Sequence, residues 1–419
     1  MAENGKGILV IGGGMAGMTT ALEAAEAGID VVLVEKEPYL GGRVARMNQY
    51  FPKLCPPTCG LEINFRRIKS NSRITVLTRA AVEKLAGEPG NYEVTVKVEP
   101  RFVTDACTLC DDCAKACPAE RKDDFNYGLS QTKAAYLPHS MAFPHLYVID
   151  RDACGEGCTA CKDACKYGAV DLDQQPETKT FEVASVVAAT GWSPYDASKI
   201  ENLGYGQYPN VITNVVMERL AAPNGPTGGK ILKPSDGKEP KSVAFVQCAG
   251  SRDENHLPYC SAVCCSASLK QCTYIRELYP DAKITIFYID IRTPGRLEDF
   301  YTKVAAENVN LIKGKAAKVE EDSATGELLV TAEDVMGGKL VTERVDLLVL
   351  ATGIVPNTDG LPADFARDEF QFITNPPGKT GVYGAGCVRR PEEVSATVQD
   401  GTGMALKAFQ CAVRSANHG

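Results

Sequence analysis

Seventeen cysteines in 419 residues are the first chemical feature of this chain. Four of them, Cys107, Cys110, Cys113 and Cys117, run C-x2-C-x2-C-x3-C and are followed by Pro118. Such short gaps let one loop place thiolates on several corners of an iron–sulfur cubane. In this run the fourth Cys characteristically serves a second cluster. Cys154, Cys158, Cys161 and Cys165 repeat the pattern with a first gap one residue longer, and with Lys166 where Pro is usual. The spacing predicts two [4Fe-4S] clusters. Cys107, Cys110, Cys113 and Cys165 would hold one, and Cys154, Cys158, Cys161 and Cys117 the other. Zinc is the alternative metal for a Cys-rich loop, but eight Cys in duplicated order disfavour it.

The remaining cysteines are less regular. Cys248, Cys260, Cys264 and Cys265 read either as a third, non-standard cluster site or as four buried structural thiols, since free Cys behaves as a small hydrophobe. Cys55 and Cys59 flank Pro56-Pro57-Thr58. Three readings stay open for them: redox-active dithiol, cluster ligands or structural thiols. Cys272 and Cys411 sit in helical surroundings and read as core. Only four His are present, and no Ser/His/Asp set or His-rich metal site stands out, so no acid–base residue can be named.

Gly12, Gly14 and Gly17 fit G-x-G-x-x-G. An apolar strand, Ile8 to Ile11, precedes the motif. A helical stretch from Met15 to Ala27 follows, and the next strand ends in Glu35. That order suits a dinucleotide pyrophosphate on a helix N-terminus, with the acid on a ribose hydroxyl. FAD is favoured over NAD by three further features. Gly41-Gly42-Arg43 follows Glu35, two strands end in Ala189-Thr190-Gly191 and Ala351-Thr352-Gly353, and Gly384-Ala385-Gly386 precedes the last helix. The expected cofactor contacts are Gly12, Gly13, Gly14, Met15, Ala16, Gly17, Glu35, Lys36, Gly42, Arg43, Val82, Thr190, Gly191, Gly353, Gly386 and Cys387. Cys387 stands where many such flavoproteins carry Asp. A second α/β unit opens at Ser242-Val243-Ala244-Phe245-Val246, yet continues as Cys248-Ala249-Gly250-Ser251-Arg252 without the glycine fingerprint. NAD(P)H binding in the usual manner is therefore not expected there.

These residues need an α/β frame to position them. The expected fold is a two-dinucleotide-binding-domain flavoprotein, thioredoxin-reductase-like, with an inserted 2[4Fe-4S] ferredoxin-like domain. Its parts would be an FAD domain over 1–105, the insert over 106–172, and a return to the FAD domain with a connector over 173–235. A degenerate dinucleotide domain over 236–350 and a C-terminal part of the FAD domain over 351–419 would complete it. The formal net charge of −8, with scattered Lys and Arg, gives no nucleic-acid footprint. No apolar run approaches the ~18–20 residues that span a bilayer. The polar start from Met1 to Gly7 does not read as a secretory leader, so metal-bound thiolates in a reducing cytoplasm are expected rather than disulfides.

The sequence resembles the flavoprotein component of heterodisulfide reductase, the HdrA family, over nearly its whole length. The resemblance runs through the Gly12–Gly17 turn, the Cys107–Pro118 run and Tyr147-Val148-Ile149-Asp150. It continues through Gln247-Cys248-Ala249-Gly250-Ser251-Arg252-Asp253, Tyr259-Cys260-Ser261-x2-Cys264-Cys265 and Asp290-Ile291-Arg292. Within that family the compact form is most similar to QmoA, from the quinone-interacting membrane-bound oxidoreductase of sulfate reducers. The resemblance implies FAD and at least two [4Fe-4S] clusters. It also implies QmoB-like and QmoC-like partner subunits, and electron flow between the menaquinone pool and adenylylsulfate reductase at the cytoplasmic face of the membrane. The alternatives are an HdrA-type bifurcating component of a soluble complex, and a non-catalytic electron-relay module.

Overall fold

The computed structural model describes residues 6–51, 53–377 and 381–418. The polar start of the chain, Met1 to Gly7, falls largely outside the described residues.

The first sheet grows from the apolar run around Ile8. Strand β1 (Gly7–Ile11) leads into α1 (Met15–Glu26) and then β2 (Val31–Glu35). Helix α2 (Pro57–Ser70) leads to β3 (Ile74–Thr78), and β4 (Ala80–Glu88) and β5 (Asn91–Val98) form a hairpin. The strand Glu177–Ala188 completes the path, giving the order β3-β2-β1-(177–188)-β5-β4, with Val382–Gly384 also paired to 177–188. Val31, Val32, Leu33 and Val34 pair in parallel with both β1 and β3. β3 therefore belongs to the parallel part of the sheet, beside β2, and only β4 and β5 form the hairpin. Uninterrupted apolar strands suit a parallel sheet covered on both faces, and two buried clusters, centred on Val10 and on Leu9, fill those faces.

The Cys-rich segment leaves this sheet after β5 and returns at Glu177, which pairs directly with Val98. It carries two short helices, α3 (Asp112–Ala116) and α4 (Ala160–Asp163), and a small core of its own around Val103, Ala134, Tyr147 and Ile149.

The second sheet has five parallel strands in the order 211–213, 347–352, 242–249, 283–288, 309–313. Helices α5 (Asn214–Ala221), α6 (Cys264–Leu278) and α7 (Leu297–Ala306) are threaded between these strands along the chain. An antiparallel meander over 316–345 follows. The second unit begins earlier than the expected position 236, because Val211–Thr213 already pairs with Leu348–Leu350 and α5 packs in the same core. The Gly-, Pro- and Asn-rich flanks make that three-residue strand look like connector. Trp192–Pro194 pairs with Ile354–Pro356 to tie the two units together. Helix α8 (Val394–His418) then packs against the first unit. Among the described residues no helix is long and apolar enough to cross a membrane.

Candidate flavin and iron–sulfur sites

The Gly12–Gly17 turn has the close packing that the fingerprint requires. Gly12 has φ +107°, and a Cβ on it would stand 2.4 Å from the Ala189 carbonyl oxygen. A Cβ on Gly17 would lie 1.8 Å from the Gly12 carbonyl. Met15 and Ala16 form the first turn of α1, whose free N–H groups can face phosphate. Glu35 is buried at the end of β2, and its carboxylate accepts from the Gly13 N–H at 2.6 Å and the Glu37 N–H at 2.8 Å. Burial lifts its pKa to about 7, against the two N–H donors that lower it. Lys36, next along, is exposed. Val82 is buried on β4 in the cluster that includes Val34.

The other expected contacts reach this turn from different parts of the chain. Gly386, with φ +70°, lies so close to α1 that a Cβ on it would stand 2.8 Å from that of Ala16. Its N–H donates to Asp400 at 2.7 Å. Cys387 is buried, with its thiol directed to the Glu392 carbonyl at 3.4 Å. A Cβ on Gly42 would meet the Gly14 Cα at 2.9 Å. Arg43 stacks over Trp192, 4.5 Å from the ring centroid, and donates to Tyr127 at 3.3 Å. Thr190 and Gly191 are fixed by Asn357, whose amide donates to the Thr190 carbonyl at 3.0 Å. Gly353 falls elsewhere. It packs on Ser251 and Ser261 beside the cysteines of the second unit. Its strand belongs to the second sheet, which an Ala-Thr-Gly echo cannot reveal. The glycine turn, the buried acid and the converging Gly42 and Gly386 fit a flavin dinucleotide.

In the insert, Cys107, Cys110, Cys113 and Cys165 line one cavity with Val103, Tyr147 and Tyr167. The loop bends through left-handed Leu109 and Asp111 to bring its three cysteines round. Burial opposes ionisation of Cys165, but main-chain N–H groups of Ala169, Val170, Tyr167 and Gly168 outweigh it and hold the thiol below its usual range. Cys113 is pushed up to about 12 by burial, with Cys107 and Cys161 nearby adding to it. Cys154 is raised by burial and by Cys117 and Cys158, and Cys161 by burial, Cys154 and Cys117. Cys113 and Cys161 lie on α3 and α4, while Cys117 directly follows α3 and Cys165 stands two residues past α4. Neighbouring thiolates that repel one another become favourable only around cationic iron, which the donor chemistry here fits. Among the described residues no group of His, Cys, Asp or Glu closes tightly enough for one ion. A cubane spreads its ligands over four corners and asks for wider spacing.

The second unit gathers Cys248, Cys260, Cys264 and Cys265. Cys248 lies at an irregularity in the strand Ser242–Ala249 and has φ +56°. Arg252 and Ala262 are also left-handed, at φ +55° and +57°. Left-handed backbone at non-glycine residues persists only where the surrounding structure over-determines it. Cys264 and Cys265 open α6. Burial pushes Cys248 up to about 11, with Cys265 the next cause. Cys264 is raised by burial and then by Cys248, Cys265 and Cys260. All four thiols thus share one place, where a nicotinamide domain would carry its glycine turn. Spacing alone assigns no role to Arg252, Asp290 and Arg292 around them. Asp290 and Arg252 are far apart in sequence and meet only in the fold.

Comparison with known proteins bears on the same regions. A family model described as FAD dependent oxidoreductase matches residues 7–106. The HdrA component of the ferredoxin/F(420)H(2)-dependent CoB-CoM heterodisulfide reductase of Methanosarcina acetivorans is 39% identical, over 97% of this chain and 53% of its own length. Its counterpart in the H(2):CoB-CoM heterodisulfide,ferredoxin reductase of Methanothermobacter thermautotrophicus is 38% identical, over 96% of this chain and 63% of its own length. The chain thus spans little more than half of the former and under two thirds of the latter. In fold it is similar to the thioredoxin reductase of Lactococcus lactis, with TM-score 0.54, 14% identity and coverage of 98% of this chain and 99% of that one. The T. acidophilum thioredoxin reductase gives TM-score 0.52 and 14% identity, over 97% of this chain and 99% of that one. The chain belongs to the HdrA-like flavoproteins, on the two-dinucleotide-binding-domain fold.

Proposed function

We propose that this chain is an FAD and iron–sulfur electron-transfer component that exchanges electrons with protein partners rather than with NAD(P)H. One observation carries this reading. Cysteines gather at the end of the strand Ser242–Ala249 and the start of α6, where a nicotinamide dinucleotide would otherwise be gripped. FAD takes up two electrons and can release them singly, and each cubane carries one. The chain's own residues do the positioning. The Gly12–Gly17 turn and α1 receive the pyrophosphate, Glu35 takes a ribose hydroxyl, and Gly42 and Gly386 bring backbone close to the cofactor. Cys107, Cys110, Cys113 and Cys165 hold one cluster, and Cys117, Cys154, Cys158 and Cys161 a second. Cys248, Cys260, Cys264 and Cys265 hold a third. We place the chain in a Qmo-like complex with QmoB-like and QmoC-like subunits, between the menaquinone pool and adenylylsulfate reductase. It would meet the membrane only through a partner. The identity to heterodisulfide reductase components favours a second reading, an electron-bifurcating role in a soluble complex.

Iron and acid-labile sulfide analysis with EPR of the reduced protein tests the cofactor content. About twelve irons per chain are expected for three cubanes and about eight for two, while four or none would exclude the paired insert. NADPH should leave the flavin of the isolated protein oxidised. Reduction by a menaquinol analogue only with the Qmo-type partners present supports the Qmo-like reading; reduction only with heterodisulfide reductase-type partners supports the other.

A further inference from the structure

The third cysteine site is held from outside by one carboxylate and two guanidinium groups. Asp290 lies just beyond the strand Lys283–Tyr288. Its Oδ1 binds Arg252 at 2.5 Å and Arg292 at 3.3 Å. The Arg252 charge acts on Cys248, opposing the rise that burial causes, and Cys260 is the first cause of the raised pKa of Arg292. The Cys265 thiol is directed to the Asp290 carbonyl, 3.8 Å away. Arg252, Cys260 and Arg292 also line a shared cavity of about 400 Å³. Of the two acids on that cavity wall, Asp253 is already paired with Lys315 at 2.5 Å. Two guanidinium groups therefore stand beside the cysteine cluster, joined through a single shared acid.

An ionised donor makes a shorter and stronger hydrogen bond than a neutral one. Hydrogen bonds to the sulfurs and local charge are among the factors that set a cluster's reduction potential. Adding one electron adds one negative charge, which a guanidinium stabilises. On the reading above, that a cluster sits on Cys248, Cys260, Cys264 and Cys265, we propose that Arg252 and Arg292, clamped by Asp290, are positioning residues that raise the potential of this cluster above the value its four thiolates alone would give. The second unit then carries an electron-accepting station in place of a nicotinamide.

An EPR-monitored redox titration of the full chain tests this with Arg252→Gln, Arg292→Gln and Arg292→Lys. Either glutamine variant should move one cluster signal to lower potential, leave the others in place and keep the wild-type iron content. Arg292→Lys keeps the charge but loses the planar fork, so it should fall between wild type and Arg292→Gln. Unmoved signals in both glutamine variants at full iron content would overturn the proposal. If the glutamine variants shed this cluster, Arg292→Lys decides: a downward shift supports the proposal and none overturns it. About eight irons in the wild type would instead overturn the underlying three-cluster reading.

Discussion

Lys270 and Glu218 form a buried ion pair, 3.0 Å apart, between α6 and α5. The pair also reaches into the first unit. Lys270 donates to the Gln49 carbonyl at 2.6 Å, and Glu218 accepts from the Asn48 N–H at 3.0 Å. Removing one partner strands the other charge, so Lys270→Ala should destabilise the chain by ~3–5 kcal/mol. The Lys270→Met/Glu218→Leu double variant should cost much less than the sum of its single changes. A denaturant double-mutant cycle measures the coupling, and additive losses would show that the pair does not act as a unit.

Arg219 should be irreplaceable by Lys. It is fully buried, stacks 4.6 Å from the Phe125 ring centroid, and donates to Asn126 at 2.9 Å and to the Arg46 carbonyl at 3.2 Å. One side chain thus joins the second unit, the first unit and the insert. A lysine supplies neither the planar face nor the fork. Amide exchange over residues 123–139 should accelerate in Arg219→Lys, while exchange in the second sheet stays near wild type.

Glu35 should make the flavin-free protein pH-sensitive. Its pKa in the folded chain is about 7, against an ordinary 4.5, with burial the main cause. Folding then favours the protonated form. The stabilisation is complete below about pH 4.5 and is lost as pH rises toward 7, by an amount on the order of 3 kcal/mol. Glu35→Gln should flatten urea midpoints across that window. It should also weaken FAD retention about tenfold or more by removing a charged hydrogen-bond acceptor.

Interleaved ligation makes a specific demand on single cysteines. Cys165→Ser should remove the cluster that Cys107, Cys110 and Cys113 otherwise hold, although Cys165 belongs to the other sequence set. Cys117→Ser should remove the cluster of Cys154, Cys158 and Cys161. Iron loss of about four atoms in each case, with different EPR signals missing, is the expected outcome. Loss of the same signal in both would break the assignment.

The placement of the local features was legible. The glycine turn packs tightly at Gly12 and Gly17, Glu35 is buried at the end of β2, and Cys165 shares one cavity with Cys107, Cys110 and Cys113. What the sequence hid is non-local. Val211–Thr213 is too short to advertise itself as a strand, and only its pairing with 348–350 reveals it. Gly353 carries the same local signature as Gly191, yet belongs to another sheet. Arg43 on Trp192, Arg219 on Phe125 and Asp290 between two arginines depend on approaches that no spacing rule encodes.

The direct pairing of Val98 with Glu177 has a further consequence. The segment over 99–176 starts and finishes at one rung of an antiparallel ladder, so its ends meet without it. A short turn could close that rung and leave the first sheet with the same strand order. The Cys-rich part is then an insertion within a hairpin whose two strands pair without it. Because closure entropy grows only slowly with loop length, a chain of this architecture could gain, lose or exchange its wiring while the flavin-holding scaffold stays the same.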